Sequence, residues 1–148
     1  MTLFCPDLNV WLALSVEGHT HNAAAWRWMR SRPAQSRLLF SRFTEIGLLR
    51  LLTNSAVMSD RVLTVRQAWR VYDGWMDDPR VEFYPEPQNT GSAFREAMEP
   101  FATKPASKWV GDCWLLAFAA EAGATLVTFD RALLEFAGKR GDSAVLPQ

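Results

Sequence analysis

Apolar residues along the chain alternate between short unbroken runs and longer stretches at helical spacing. Leu3, Phe4, Cys5 and Pro6 read as a short strand with Pro6 holding Cys5 extended, and Asp7 falls where the chain turns toward an apolar helix from Val10 to Val16. Between His21 and Arg32, the positions of Ala24, Ala25, Trp28 and Met29 mark one face of a helix, which Pro33 stops. Leu38, Leu39 and Phe40 form a second strand. Ser41 is placed to cap a following helix whose apolar face (Phe43, Ile46, Leu49, Leu52) extends up to Asn54, with Glu45 in its first turns. Thr64 and Gln67 have capping-box spacing ahead of a helix through Val71 and Trp75 to about Asp78, where Pro79 ends it. Val81 to Tyr84 is a third strand.

The second half repeats the alternation. A shorter helix spans about Ser92 to Phe101, and Thr103 to Ser107, with Pro105, is a loop. Asp112 is expected to open an apolar helix that ends before Gly123; Ala124 to Phe129 is a strand, Asp130 caps a helix from Arg131 to Ala137, and Ala144 to Leu146 closes the pattern as a strand. Strands separated by helices predict an α/β fold: a parallel sheet of about five short strands, flanked by helices because parallel strands need crossover connections. In such folds the functional crevice lies at the carboxyl ends of the strands. No internal repeat or long linker divides the chain, so residues 1–148 read as one domain.

Composition narrows this picture. A chain of 148 residues with 49% hydrophobic side chains can bury a core without staples. Cys5 and Cys113 sit in separate apolar runs, which suits buried thiols in a reducing compartment rather than a disulfide. No basic leader precedes an apolar stretch and no run is long enough to span a bilayer, so a cytoplasmic location without membrane insertion is expected. Sixteen basic side chains balance sixteen acids, and all of the basic ones are arginine except Lys104, Lys108 and Lys139. Arginine suits phosphate contacts, but no dense basic block appears, and solvated helix faces account equally for the pattern. Seven tryptophans exceed what one small core needs, which points to a subunit or partner interface.

The candidate chemistry is acidic. Asp7 and Asp130 each end a predicted strand, while Glu45 and Asp112 lie in opening turns of helices, so four acids fall where a parallel sheet places its crevice. Each has a plain structural reading as a helix cap, a first-turn acid favoured by the macrodipole, or a solvated side chain. Brought together, however, four carboxylates raise one another's pKa, and a hard divalent cation with oxygen ligands removes the repulsion; convergence therefore implies Mg²⁺, with Mn²⁺ as substitute. Metal-assisted phosphodiester hydrolysis is the natural chemistry of such a site. The sequence offers no better nucleophilic arrangement: His19 and His21 share a polar turn, read here as structural, and neither cysteine has an obvious base.

Four segments carry a family resemblance: Pro6-Asp7-Leu8-Asn9-Val10; Ser41-Arg42-Phe43-Thr44-Glu45 leading into Leu49 to Asn54; Gly111-Asp112-Cys113-Trp114-Leu115-Leu116-Ala117; and Leu126-Val127-Thr128-Phe129-Asp130. In order and spacing the chain resembles PIN-domain ribonucleases of the VapC toxin type over nearly its whole length. The resemblance implies a PIN-like three-layer fold, Mg²⁺- or Mn²⁺-dependent endonuclease action on RNA, and inhibition by a small VapB-like antitoxin, with a homodimer as the expected assembly. It assigns Asp7, Glu45, Asp112 and Asp130 to the family's acidic positions as metal ligands. Asn9 and Thr128, in the same motifs, would hold a metal-bound water or orient a carboxylate, or else satisfy local backbone groups. Arg42, Arg50 and Arg131 lie near these acids in sequence, and Lys104 and Lys108 bracket the loop before Asp112; contacts to RNA phosphates and local ion pairing are both open to them.

Two rival readings stand beside this one. A haloacid-dehalogenase-like phosphatase would use Asp7 as nucleophile and Val110-Gly111-Asp112 in its metal segment, but it needs a second aspartate where this chain has Asn9. A non-catalytic module would bind RNA or protein through its tryptophans, though the presence of all four acids argues against a decayed site.

Overall fold

The computed structural model describes residues 1–148. Five strands, β1 (Leu3–Pro6), β2 (Arg37–Phe40), β3 (Val81–Phe83), β4 (Thr125–Val127) and β5 (Ala144–Val145), form one sheet in the order β3-β2-β1-β4-β5, with every pair parallel. Eight helices connect them: α1 (Leu8–Ser15), α2 (Asn22–Arg30), α3 (Arg42–Leu52), α4 (Ser55–Met58), α5 (Val65–Asp77), α6 (Thr90–Ala97), α7 (Lys108–Ala122) and α8 (Arg131–Arg140). The expected α/β architecture of short parallel strands flanked by helices is therefore present.

Alternation along the strands builds the layers. Phe4, Leu38, Phe40 and Val127 point into one core with residues of α1, α2, α3 and α5, whereas Cys5, Leu39 and Leu126 point into a second core with residues of α7 and α8. A strand with helices on both faces must be apolar on both, which is why these strands read as unbroken hydrophobic runs. The tryptophans mostly find places within this frame. Trp11, Trp28 and Trp75 are buried, Trp11 stacking on Phe40 with ring centroids 3.8 Å apart, and of the seven only Trp69 is exposed.

The sheet order places a topological switch at the centre. From β1 the chain winds outward through β2 and β3, then returns to place β4 on the other side of β1. Helices leaving the carboxyl ends of β1 and β4 diverge there and open a crevice between them. Two glycines pack α3 against its margins. A Cβ on Gly47 would lie 2.4 Å from a terminal carbon of Leu8, and one on Gly111 would lie 2.9 Å from the ring of Phe43. Gly47 thus lets α3 approach the start of α1, and Gly111 lets Phe43 of α3 lie against α7 beside Asp112.

Local caps agree with the sequence at three helices. Ser41 and Thr44 form a reciprocal capping box on α3, Thr64 and Gln67 do the same on α5, and Asp130 caps α8. Two boundaries differ. Helix α7 begins at Lys108, so Asp112 sits in its second turn instead of opening it; the loop ends earlier because Pro105 is the last residue unable to donate a backbone bond and nothing after it resists helix. The stretch expected to be one helix from Ser92 to Phe101 is α6 followed by a 3₁₀ turn, Glu99–Phe101, because Pro100 interrupts the α-helical ladder.

Candidate active site

Asp7 is fixed by three bonds at the end of β1. Its backbone N–H donates to the carbonyl of Val127 at 2.8 Å, carrying the β1–β4 pairing one step past the strands. Its Oδ1 accepts from the N–H of Leu8 at 2.7 Å, capping α1. Its Oδ2 accepts from Thr128 Oγ1 at 2.8 Å. The Thr128 hydroxyl in turn accepts from Asn9 Nδ2 at 3.2 Å and from the backbone N–H of Asp130 at 3.0 Å. One donor and two acceptors use the full capacity of a hydroxyl, which explains how Thr128 can be completely buried. Asn9 closes the lattice by accepting from the N–H of Phe129 at 3.2 Å. Thr128 thus contacts the Asp7 carboxylate directly, while Asn9 ties Thr128 to the backbone of Phe129.

Asp130 accepts through one oxygen only. Its Oδ1 takes the N–H groups of Ala132 and Leu133 at 2.9 and 3.2 Å, leaving Oδ2 without a partner in the protein. The Asp112 carboxylate, in the second turn of α7, makes no hydrogen bond within the protein, so its role as a cap is ruled out by position and by contacts alike.

These three aspartates repel one another. Burial first, then the charges of Asp7 and Asp130, push the Asp112 carboxyl up to about 6, with Lys108 one helical turn away pulling the other way. Burial also raises Asp7, opposed by the bonds from Thr128 and Leu8 and reinforced by Asp130. The same environment drives the buried Cys5 thiol up through burial and the charge of Asp7, which leaves no thiolate for nucleophilic work. Cys113 is likewise buried and free of any disulfide.

Glu45 stands apart from the three. It is 6% exposed, pairs with Arg42 and lies against Tyr72, whose hydroxyl is raised by burial and by this carboxylate. It is not among the charges that act on Asp7 or Asp112. Charge coupling links Asp7, Asp112 and Asp130, while Glu45 is engaged by Arg42, one turn earlier on the same helix. Tyr72 carried no signal in the sequence, since a tyrosine on the apolar face of α5 reads as core.

The cationic candidates divide as well. Arg42 serves Glu45 and lies over the ring of Phe83 at 4.7 Å. Arg50 is turned away from the crevice and lines a shallow apolar groove with Ile46, Leu49, Val65 and Trp69. Arg131 is exposed next to Asp130, and Lys104 and Lys108 flank a hollow at the start of α7. His21 stacks on Phe129 with centroids 4.4 Å apart, while His19 accepts from the backbone N–H of His21, so the pair holds a turn against the strand-end segment.

The donor set fits a hard cation in kind: carboxylate oxygens, mutually repelling, with an unpartnered oxygen on Asp130 and no hydrogen bond on Asp112. No three acidic, histidine or cysteine side chains share one point where a single ion would touch all of them.

Fold and carboxylates together define a doubly flanked parallel-sheet protein with an acidic centre at its switch point. The family model of the PIN domain matches residues 4–139, and the chain belongs to that family. It is 38% identical over 142 residues to Ribonuclease VapC41 of Mycobacterium tuberculosis, covering 92% of this chain and 94% of the relative. Identity to Ribonuclease VapC39 of the same organism is 32% over 140 residues, 88% of this chain and 91% of the relative. Among solved structures, VapBC-1 from nontypeable Haemophilus influenzae superposes with a TM-score of 0.71 at 14% identity over 97% of both chains. VapBC2 from Rickettsia felis, bound to a promoter DNA fragment, gives 0.70 at 12% identity over 99% of this chain and all of that one. Membership in this family displaces the phosphatase reading, and Asn9, where that enzyme needs an acid, is committed to Thr128 and Phe129.

No helix is long and apolar enough to cross a membrane.

Proposed function

We propose that the protein is a divalent-metal-dependent endoribonuclease that hydrolyses RNA phosphodiester bonds, and that it is the toxin of a VapBC-type pair held in check by a VapB-like antitoxin. The observation that carries the reading is the grouping of Asp7, Asp112 and Asp130 about the β1/β4 switch point, where burial first, and then the charge of Asp130 on Asp7 and of Asp7 and Asp130 on Asp112, raises two of the three. The identity to proteins described as ribonucleases over nine-tenths of the chain supports the substrate class.

Asp7, Glu45, Asp112 and Asp130 would surround Mg²⁺, or Mn²⁺ in its place, some of them through the waters that such an ion keeps. Such an ion supplies Lewis acidity, activating water at neutral pH and offsetting charge on the phosphate. Thr128 holds the Asp7 carboxylate in one orientation, so its free lone pairs face the crevice without a search among rotamers. The N–H groups of Ala132 and Leu133 do the same for Asp130 through one oxygen and leave the other available. Lys108 holds a positive charge beside Asp112 at the mouth of the site, where an incoming phosphate would meet it.

Purified protein is incubated with labelled RNA in Mg²⁺, Mn²⁺ or EDTA, beside the Asp7→Asn variant. The expected result is cleavage that needs the metal and falls by at least two orders of magnitude in the variant. Cleavage indifferent to EDTA and to the substitution would overturn the reading. RNA binding without cleavage under every metal condition would favour the non-catalytic module instead.

A further inference from the structure

At the start of α7 the protein carries an aromatic and cationic hollow of which the proposed carboxylate chemistry uses only Lys108. Phe101, from the 3₁₀ turn after α6, stacks on Trp109 with ring centroids 5.0 Å apart and planes 19° from parallel. Phe136 of α8 packs its ring against both, at 5.2 Å from each. The three rings form a rigid wedge between α7, α8 and the turn. On one side of the Phe101–Trp109 pair is a hollow of about 500 Å³, floored by the loop 104–108. On the other side is one of about 530 Å³ that also meets Phe136, Lys139 and Arg140.

Charge separates the two hollows. Lys139 and Arg140 are already paired, with Glu135 at 3.2 Å and Asp142 at 2.9 Å. Lys104 and Lys108, on the first hollow, have no carboxylate within ion-pair distance and are both exposed. The Lys108 ammonium lies 5.2 Å from the centre of the Trp109 indole, a cover that a flexible side chain can withdraw. Trp109 precedes Asp112 by three residues on the same helix, so this hollow opens one helical turn from the carboxylates.

From this geometry we infer that the Phe101–Trp109 hollow seats one unpaired base of the RNA substrate next to the scissile phosphate, with Lys104 and Lys108 taking the phosphates on either side of that nucleotide. A π-face beside two unpaired flexible cations is the arrangement that holds single-stranded nucleic acid without reading its sequence, because every base offers a face to stack and every linkage a charge. An apolar peptide would leave both lysines without counter-charge. The inference rests on the proposal that RNA is the substrate, and it assigns Trp109 a positioning role: the base anchored there fixes which linkage reaches Asp7, Asp112 and Asp130.

The test is an abasic scan with full-length protein. A cleavable single-stranded RNA is made in a series, each member lacking the base at one position around the cut. Binding is followed by fluorescence anisotropy in EDTA, and cleavage separately in Mg²⁺ or Mn²⁺. For the wild type, loss of one particular base is expected to weaken binding by about 5- to 150-fold, the range of a base–aromatic stack. In Trp109→Leu, which keeps apolar volume without the π-face, that penalty disappears while other positions behave as before, and Trp109→Phe restores most of it. Lys104→Gln and Lys108→Gln each lower the salt dependence of binding by about 0.7 in logarithmic slope. Circular dichroism and melting of Trp109→Leu establish that the variant is folded.

A flat abasic profile, or an abasic penalty that survives unchanged in folded Trp109→Leu, would overturn the inference even if the protein cleaves RNA. A position-specific penalty removed by Trp109→Leu in EDTA, in a protein that never cleaves, would uphold the base seat and reject the nuclease.

Discussion

Thr128 Oγ1 donates a 2.8 Å hydrogen bond to Asp7 Oδ2 across 121 residues of sequence, and this single contact joins the carboxyl ends of the two strands that bound the crevice. Removing the hydroxyl while keeping the shape, as in Thr128→Val, strands three groups at once: the Asp7 carboxylate, Asn9 and the backbone N–H of Asp130. A loss of roughly 1–3 kcal/mol in folding stability is expected for the buried partners left unpaired. Since a misaligned carboxylate also costs metal affinity or activity by about 10- to 100-fold, kcat/KM on RNA should fall by that factor. Thr128→Ser should retain most of both. Melting curves with kinetics on the three proteins check this; equal activity in Thr128→Val would show that Asp7 needs no such support.

Asp130 caps α8 and, under the proposed function, also brings charge to the metal; two substitutions separate the two roles. As a cap it accepts from Ala132 and Leu133, and asparagine can do the same; as a charge it cannot be replaced by asparagine. Asp130→Asn is therefore expected to melt near the wild type while losing RNA cleavage. Asp130→Ala should lose cleavage and also about 1 kcal/mol of stability, a fall of roughly 2–4 °C in Tm. Identical melting of the two variants would mean that the cap contributes nothing.

Metal-free protein should lose stability as pH rises. The Asp112 carboxyl sits at about 6 in the folded chain against 3.8 ordinarily, because burial, Asp7 and Asp130 all disfavour its charge. Its folded form therefore binds the proton more tightly than its unfolded form, so its contribution is full below about pH 4 and gone above about pH 6. Discounted for the water that still reaches the group, the change is roughly 1–2 kcal/mol. In EDTA, Tm should drop across this window, and Asp112→Asn should flatten the drop. If Asp112 is a ligand as proposed, adding Mg²⁺ should raise Tm most above pH 6, where its carboxyl is ionised and metal binding no longer competes with a proton. A wild-type profile that climbs from pH 4 to 6 as steeply in EDTA as in Mg²⁺ would refute this.

Arg42 and Glu45 should be coupled. The guanidinium is largely exposed and the carboxylate buried, so removing Arg42 leaves a buried charge with only Tyr72 against it. Arg42→Ala is expected to cost about 1 kcal/mol in the wild type and almost nothing in Glu45→Gln, a coupling that a double-mutant cycle in denaturant measures. Additive losses would free Arg42 for a role in RNA contact.

Much of the architecture is legible in the sequence itself. Strands apolar on both faces, helices at 3.6-residue spacing and caps at Ser41, Thr64 and Asp130 are local facts, set by the side chains within one turn or one strand of each other. Pairing partners could be narrowed to parallel neighbours, but not their order. Tyr72 and Phe101 carried no local sign of their positions, being ordinary aromatics on helix faces until α3 and α7 are laid beside them.

By itself, then, the sequence determined which segments become strands and helices, and that Asp7 and Asp130 end strands while Glu45 lies in the opening turns of a helix. Tertiary structure alone decided that β4 lies against β1, that the charge of Asp112 is coupled to the two strand-end acids, and that Glu45 is buried against Tyr72. The division follows from range: backbone propensity and capping act over a few residues, whereas mutual repulsion among carboxylates exists only once segments more than a hundred residues apart are brought within a few ångströms.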